Sequence, residues 1–70
     1  MFNKFKIGQR VCVNGPGKKD DKYYTNKIGK VVEKDNYFCD YLIKFQDGTS
    51  DWIDEIYLKS IRKYKRKGKK

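Results

Sequence analysis

The sequence contains no histidine, one proline and only two cysteines among its 70 residues. Because histidine is the commonest general base and a frequent metal ligand, its absence removes the most usual catalytic and zinc-binding arrangements. Cys12 and Cys39 cannot complete a tetrahedral zinc site on their own, and neither a glycine-rich phosphate loop nor a nucleophile elbow is present. We therefore predict a protein that is not an enzyme and has no catalytic residue, bound metal or cofactor.

Long apolar segments are also missing. Residues 1–4 do not begin the apolar run of a signal peptide, and no segment approaches the roughly 20 apolar residues of a transmembrane helix. Each cysteine falls in an apolar or alternating segment, where a free thiol packs as a small side chain. We expect a cytoplasmic protein without a membrane partner, in a compartment where thiols stay reduced.

Short segments in which apolar and polar residues alternate predict β-strands throughout residues 1–61. Asp47 and Gly48 predict a type I′ hairpin turn, and Gly29 predicts a bulge or the close approach of another backbone. The predicted strands are 6–14, 27–34, 39–45, 49–53 and 58–61, with a long excursion at 18–26 and a 3₁₀ turn at 54–57. The fold class is all-β, and five short strands that curl on themselves would form a small barrel.

The positive charge is concentrated at one end of the chain. Residues 62–70 hold seven of the eighteen Lys and Arg residues and no acid, whereas residues 1–61 have eleven bases against nine acids, a net charge of +2. Since like charges in a run repel one another, we expect a disordered basic tail that is available to phosphate groups. The domain organisation is a barrel at 1–61 and a tail at 62–70, and the tail could instead serve solubility alone.

Four of the nine acids gather around the only tryptophan, Trp52. They are Asp47, Asp51, Asp54 and Glu55. Acids at turns and strand ends cap backbone N–H groups and discourage pairing between sheet edges. We interpret this cluster as structural, because paired catalytic carboxylates need a pocket that shifts one pKa.

The glycine and apolar positions of the predicted strands follow a definite order. They are Ile7-Gly8-x-x-Val11-x-Val13, Gly29-x-Val31-Val32, Tyr41-x-Ile43-x-Phe45-x-Asp47-Gly48, Asp51-Trp52-Ile53 and Leu58. This order resembles the SH3-like small barrels, in particular the KOW and Tudor-like branches, and short uncharacterised proteins of phages and mobile elements of low-GC bacteria. The resemblance spans nearly all of residues 5–62 and implies a five-stranded SH3-like barrel.

Nucleic-acid binding is the function that the charge distribution favours. Lysines of the excursion and the tail would neutralise phosphates of DNA or RNA, while tyrosines would stack on bases. The resemblance to the KOW branch implies a contact near Lys27 and Lys30, although residues 17–26 depart from that pattern. The candidate residues are Lys18, Lys19, Lys22, Tyr23, Tyr24, Lys27, Lys30, Arg62, Lys63, Tyr64, Lys65, Arg66 and Lys67.

Two other binding functions stay open for this chain, as a monomer or a weak homodimer. A tryptophan surrounded by charge is typical of a protein-binding hot spot, which predicts a phage-type module that inhibits a host protein or nucleoprotein complex, for example an anti-defence or anti-CRISPR inhibitor. Its candidate contact residues are Asp47, Asp51, Trp52, Asp54 and Glu55. The Tudor-like resemblance implies an aromatic cage for methylated lysine or arginine, to which Tyr23, Tyr24, Phe45 and Trp52 could supply rings.

Overall fold

Five antiparallel strands form a single sheet in the computed structural model, which describes residues 5–19 and 22–61. The strands are β1 (Arg10–Pro16), β2 (Tyr23–Asp35), β3 (Asp40–Phe45), β4 (Ser50–Asp54) and β5 (Leu58–Ser60), and a 3₁₀ turn (Glu55–Tyr57) precedes β5. Their order across the sheet is β4-β3-β2-β1-β5. The all-β prediction and the five strands are confirmed. The strand pairing leaves the sheet open, with β4 and β5 at its edges.

One face of the sheet carries the hydrophobic core. Alternate residues of each strand point to this inner face, as the period of two in a β-strand requires. Burying each of these side chains contributes about 1.5–3 kcal/mol before the loss of conformational entropy. The buried apolar residues are Phe5, Val11, Val13, Tyr24, Val31, Tyr41, Ile43, Phe45, Ile53 and Leu58.

Gly29 lies where β2 crosses closest to β3. A Cβ atom at this position would meet the Ile43 side chain and would lie 2.9 Å from the Lys44 carbonyl oxygen. The close approach predicted from the sequence is therefore observed. The bulge is elsewhere in β2, between Val31 and Glu33, because Gly29 itself pairs regularly with Phe45.

The turn between β3 and β4 differs from the predicted type I′ turn. The Phe45 carbonyl accepts a hydrogen bond from the Gly48 amide (3.0 Å), and the Phe45 amide donates to the Thr49 carbonyl (2.8 Å). Gly48 has a φ of 93°, but Asp47 is not among the residues with positive φ. Asp47 Oδ1 instead accepts hydrogen bonds from the amide and hydroxyl of Thr49. This arrangement is a turn closed by a left-handed glycine, which also suits a hairpin.

The last four residues of the predicted excursion at 18–26 belong to a strand. Strand β2 begins at Tyr23, and its first residues pair with the end of β1, Gly15 with Tyr24 and Pro16 with Tyr23. Asn26 takes a left-handed φ of 50°, and its amide donates to the Asn14 side chain (2.9 Å). The pairing between β1 and β2 thus extends into a polar segment, which the pattern of alternating hydrophobic residues did not predict as strand.

The chain after β1 lies along the outer edge of β4. The Lys18 amide donates to the Trp52 carbonyl (3.0 Å), and the Lys19 amide donates to Asp51 Oδ1 (2.7 Å). Gly17 is required here because a Cβ atom would collide with the Asp51 carboxylate. These bonds satisfy backbone groups that a bare edge strand would expose to other chains.

Asp51 is completely buried, and uncharged groups satisfy its carboxylate. Oδ1 accepts from the amides of Lys19 and Trp52, and Oδ2 accepts from the Tyr24 hydroxyl (2.8 Å). A buried carboxylate is tolerated when its oxygens have hydrogen-bond partners. The carboxylate therefore joins β4, β2 and the chain after β1.

In the part of the chain that the structure describes, no helix combines the length and hydrophobicity needed to cross a bilayer. Cys12 and Cys39 are both free thiols, the first half-buried and the second exposed.

We expect Asp51→Asn to lower the free energy of unfolding by about 1–3 kcal/mol, because the amide nitrogen cannot accept the hydrogen bonds that the lost oxygen accepted. Urea denaturation followed by circular dichroism measures the change. Tyr24→Phe, which removes one donor and little volume, should cost about 1 kcal/mol. An Asp51→Asn protein as stable as the parent would contradict this role.

Candidate nucleic-acid interface

Three cations lie in one row across the outer face of the sheet, the face opposite the core. Arg10 of β1 pairs directly with Lys30 of β2, and Lys30 pairs directly with Lys44 of β3. All three side chains are exposed. Paired Cα atoms of antiparallel strands are about 4.5–5.5 Å apart, so this cation row spans about 10 Å. One strand of a DNA duplex carries about three phosphates over that length.

The cation row borders a groove of about 220 Å³. Half-buried Ile28 and Val32 give this groove an apolar lining beside the cation row. Ile28 lies two residues before Lys30 on the same face of β2, and Val32 lies in the β2 bulge after Lys30. The lining consists of Arg10, Ile28, Gly29, Lys30, Val32, Lys44, Phe45 and Gln46.

The described carboxylates leave the cation row without an ionic partner. Among residues 5–19 and 22–61, the ion pairs are Lys18 with Asp40 (2.8 Å) and Lys27 with Asp47 (3.7 Å). Like charges placed directly opposite each other on neighbouring strands are destabilising. The row is therefore an arrangement that an anion would stabilise.

The end of the described chain lies beside this row. The amide of Ile61, the last described residue, donates to the Arg10 carbonyl (3.4 Å). Residues 62–70, which contain seven cations, follow Ile61 directly in the sequence. The predicted binding residues Arg62, Lys63, Tyr64, Lys65, Arg66 and Lys67 lie outside the described residues.

Lys18 lies at the other end of β3 from the cation row. Its Nζ donates to both oxygens of Asp40, at 2.8 and 2.9 Å. These hydrogen bonds to a nearly buried carboxylate raise the pKa of Lys18 above its ordinary value. Asp40 and Lys44 are four residues apart on one strand, about 13 Å. Lys18 therefore belongs to a different part of the surface.

The other predicted lysines do not join one face either. Lys19 and Lys22 are exposed in the segment between β1 and β2. Lys27 points to the inner side of the sheet, where its Nζ lies 5.3 Å from the centre of the Phe45 ring and near Asp47. Of the predicted lysines that the structure describes, Lys30 alone belongs to the cation row.

The two predicted stacking tyrosines of β2 have different surroundings. Tyr23 is 72% exposed, whereas Tyr24 is 9% exposed, packs against Phe45 at 4.8 Å between ring centres, and donates its hydroxyl to Asp51. Tyr24 is a core residue and cannot offer a ring face to a base. Tyr24 pairs with Gly15 near the end of the β1–β2 ladder, within a mainly polar part of the sequence. The hydrophobic pattern therefore does not reveal its burial.

The acids near Trp52 mostly have structural partners. Asp54 Oδ1 accepts from the Ile56 amide (3.2 Å) and caps the 3₁₀ turn, while Glu55 Oε1 accepts from the Tyr41 hydroxyl (3.5 Å). Hydrogen bonds from Thr49 lower the pKa of Asp47. Asp51 is buried and unavailable to a partner, which corrects its place among the predicted protein-binding residues. Trp52 is half-buried on the outer face.

The four rings proposed for an aromatic cage do not converge. Tyr24 and Phe45 contact each other in the core, whereas Trp52 lies on the opposite side of the sheet. In the part of the chain that the structure describes, no group of three Cys, Asp or Glu side chains comes together to hold a metal ion.

Sequence reasoning missed Arg10 and Lys44. The alternation of β3 places Lys44 on its polar face, but the meeting of Arg10, Lys30 and Lys44 depends on the register among three strands. Comparison with protein-family models, curated proteins and solved structures finds no match for this chain.

Replacing Lys44 by Gln should raise the free energy of unfolding by a few tenths of a kcal/mol, because the repulsion of the opposite Lys30 is removed. The gain should shrink in 1 M salt, where charges on the surface are screened beyond about 3 Å. Thermal denaturation at low and high salt measures both effects. Lys22→Gln, which removes an exposed charge outside the strands, serves as the control, and an equal gain there would contradict the assignment.

Proposed function

We propose that this protein is a small, non-catalytic nucleic-acid-binding protein that contacts phosphates through the cation row and through residues 62–70. The observation that carries the proposal is the cation row itself, in which Arg10, Lys30 and Lys44 meet across three strands without a described carboxylate partner. Phosphate contacts of this kind position a nucleic acid without selecting its sequence. Both DNA and RNA present the required charge.

The same proposal includes an SH3-like architecture. Support comes from the strand order, in which β5 lies beyond β1 at one edge, and from the 3₁₀ turn that precedes β5. The hydrogen bond from the Lys18 amide to the Trp52 carbonyl at the opposite edge is in keeping with a barrel, because it covers part of β4.

A second candidate function is protein binding, which a separate apolar surface favours. Tyr37 and Phe38, in the turn between β2 and β3, are 84% and 62% exposed, and their rings contact each other at 4.6 Å. Ile56 is 75% exposed, and the neighbouring Glu55 amide donates to the Cys39 carbonyl. Clustered apolar residues at a surface often mark a protein contact. An inhibitor of a host complex would use this end of the sheet.

We expect the double substitution Lys30→Gln with Lys44→Gln to weaken binding to a labelled oligonucleotide at least tenfold. Each lost phosphate contact should also reduce the slope of log affinity against log salt by about 1. Fluorescence anisotropy over a range of salt concentrations measures both quantities.

The matched control for this double variant is Lys19→Gln with Lys22→Gln, which changes the net charge equally but lies outside the cation row. Its affinity should stay within about twofold of the parent, since only general electrostatics is altered. Equal losses in the two double variants would reject the cation row as the site.

Deleting residues 62–70 should lower the affinity and flatten the salt dependence further, because seven cations are removed. The same anisotropy titration measures the slope. An unchanged slope would remove these residues from the mechanism, while the cation row would be tested independently by its own variants.

A further inference from the structure

The outer face changes in character along β3, from an unpaired cation to an apolar side chain and then to the ion pair of Asp40 with Lys18. Lys44 lies at one end, Leu42 follows two residues away, and Asp40 follows after another two. On β4, Trp52 pairs with Leu42, and Asp54 pairs with Asp40. A polyanion backbone is attracted to the unpaired Lys44 end more than to the Asp40 end, where Lys18 already neutralises the carboxylate. Glu33 of β2 pairs with Leu42, so the apolar middle formed by Leu42 and Trp52 suits uncharged parts of the ligand better than phosphates.

Trp52 occupies that apolar middle. It lies diagonally across from Lys44, because Lys44 pairs with Ser50, two residues before Trp52 on the same face. Diagonal neighbours on adjacent strands are about 7–8 Å apart, a distance that an indole ring and a lysine side chain can both span. A ligand atom held by Lys44 is therefore within reach of the tryptophan ring.

The backbone of Trp52 is held on both sides. Its amide donates to Asp51 Oδ1 (2.8 Å), and its carbonyl accepts from the Lys18 amide (3.0 Å). The residues before and after it, Asp51 and Ile53, are completely buried, whereas Trp52 is outside the core cluster. Strand β4 thus holds the backbone of Trp52 in place, while the half-buried ring is not part of the hydrophobic core.

The groove beside the cation row has the same combination of properties. Phosphates interact with the charges of Arg10, Lys30 and Lys44 but gain nothing from the apolar side chains of Ile28 and Val32 beside the row. Unpaired bases can use these apolar side chains, since a base gains free energy by burying its flat apolar surface. In a duplex the bases are already stacked on one another and cannot enter.

We propose that the outer face selects single-stranded nucleic acid, with phosphates on the cation row and a base stacked on Trp52. This inference rests on the proposed function and adds to it the form of the ligand and the residue that recognises the base. The single-stranded nucleic acid crosses β1, β2 and β3 along the cation row, and its bases point towards Leu42 and Trp52.

The experiment uses the only tryptophan of the chain as its own reporter. The full-length protein is titrated with a single-stranded thymidine oligonucleotide, with a duplex of the same length and with inorganic tripolyphosphate, while indole fluorescence is recorded. The single strand should quench the fluorescence to a saturable limit, because stacking places a base against the ring. The duplex and the tripolyphosphate should bind to the cation row without comparable quenching.

Substitution tests the energetic contribution of the ring. Trp52→Leu should weaken single-strand binding about tenfold and leave duplex binding within twofold, whereas Trp52→Phe should retain most of the affinity. Tyr23→Leu, at an exposed aromatic ring that is not opposite the cation row, should change single-strand affinity less than twofold. Circular dichroism tests whether each variant is folded. If Trp52→Leu does not fold, the fluorescence titration of the unsubstituted protein still tests base stacking.

The outcomes separate this inference from the proposed function. Binding of the single strand in an anisotropy assay without indole quenching, or equal quenching by the duplex, would overturn the base-stacking assignment and leave phosphate binding intact. Absence of binding by single strand and duplex at low salt would reject the proposed function itself.

Discussion

The burial of a few aliphatic side chains determines the register of β1, β2 and β3, and the outer surface depends on that register. Val11, Val31 and Ile43 are completely buried on the inner face of three adjacent strands. A slip of one residue in any pairing would turn such a side chain to solvent and lose about 1.5–3 kcal/mol for each. The repulsion within the cation row, at a few tenths of a kcal/mol to about 1 kcal/mol for each pair, is too small to change the register. The core therefore forces the three cations to meet.

A second constraint operates at the β4 edge, where the Asp51 carboxylate takes the place of an apolar side chain on the inner face. Its partners lie on three different parts of the chain, so one carboxylate locates the segment after β1, the ring of Tyr24 and the backbone of Trp52. An apolar residue would bury more favourably but would leave the Lys19 amide and the Tyr24 hydroxyl without this acceptor. The polar interaction thus determines where the β1–β2 connection lies, and it holds the tryptophan strand in place.

The sequence was most informative where one strand could be considered alone. The clean alternation of β3, the 3₁₀ turn before β5 and the crowded position of Gly29 were all predictable, since each depends on local geometry or on the absence of a side chain. The cation row was not predictable, because Arg10 and Lys44 are far apart in sequence and meet only through their common neighbour Lys30. The burial of Tyr24 and Asp51 was hidden for a related reason. Their hydroxyl and carboxylate satisfy each other, and a polar residue in a polar segment gives no sign of such a partner.

The two faces of the sheet differ in what they contribute to stability. The inner face holds the apolar core and the hydrogen-bonded carboxylate of Asp51, while the outer face holds unpaired cations that weaken the sheet slightly. Neutral residues at the Lys30 and Lys44 positions would remove a local repulsion without disturbing the core, so folding alone gives no reason for two lysines to face each other there. Under the proposed function an anionic ligand would supply that reason, because a charge that repels in the free protein would attract phosphate in a complex. The other end of the same face differs, because Lys18 already neutralises Asp40 there, so the unpaired cations of this face are confined to the end that holds the cation row.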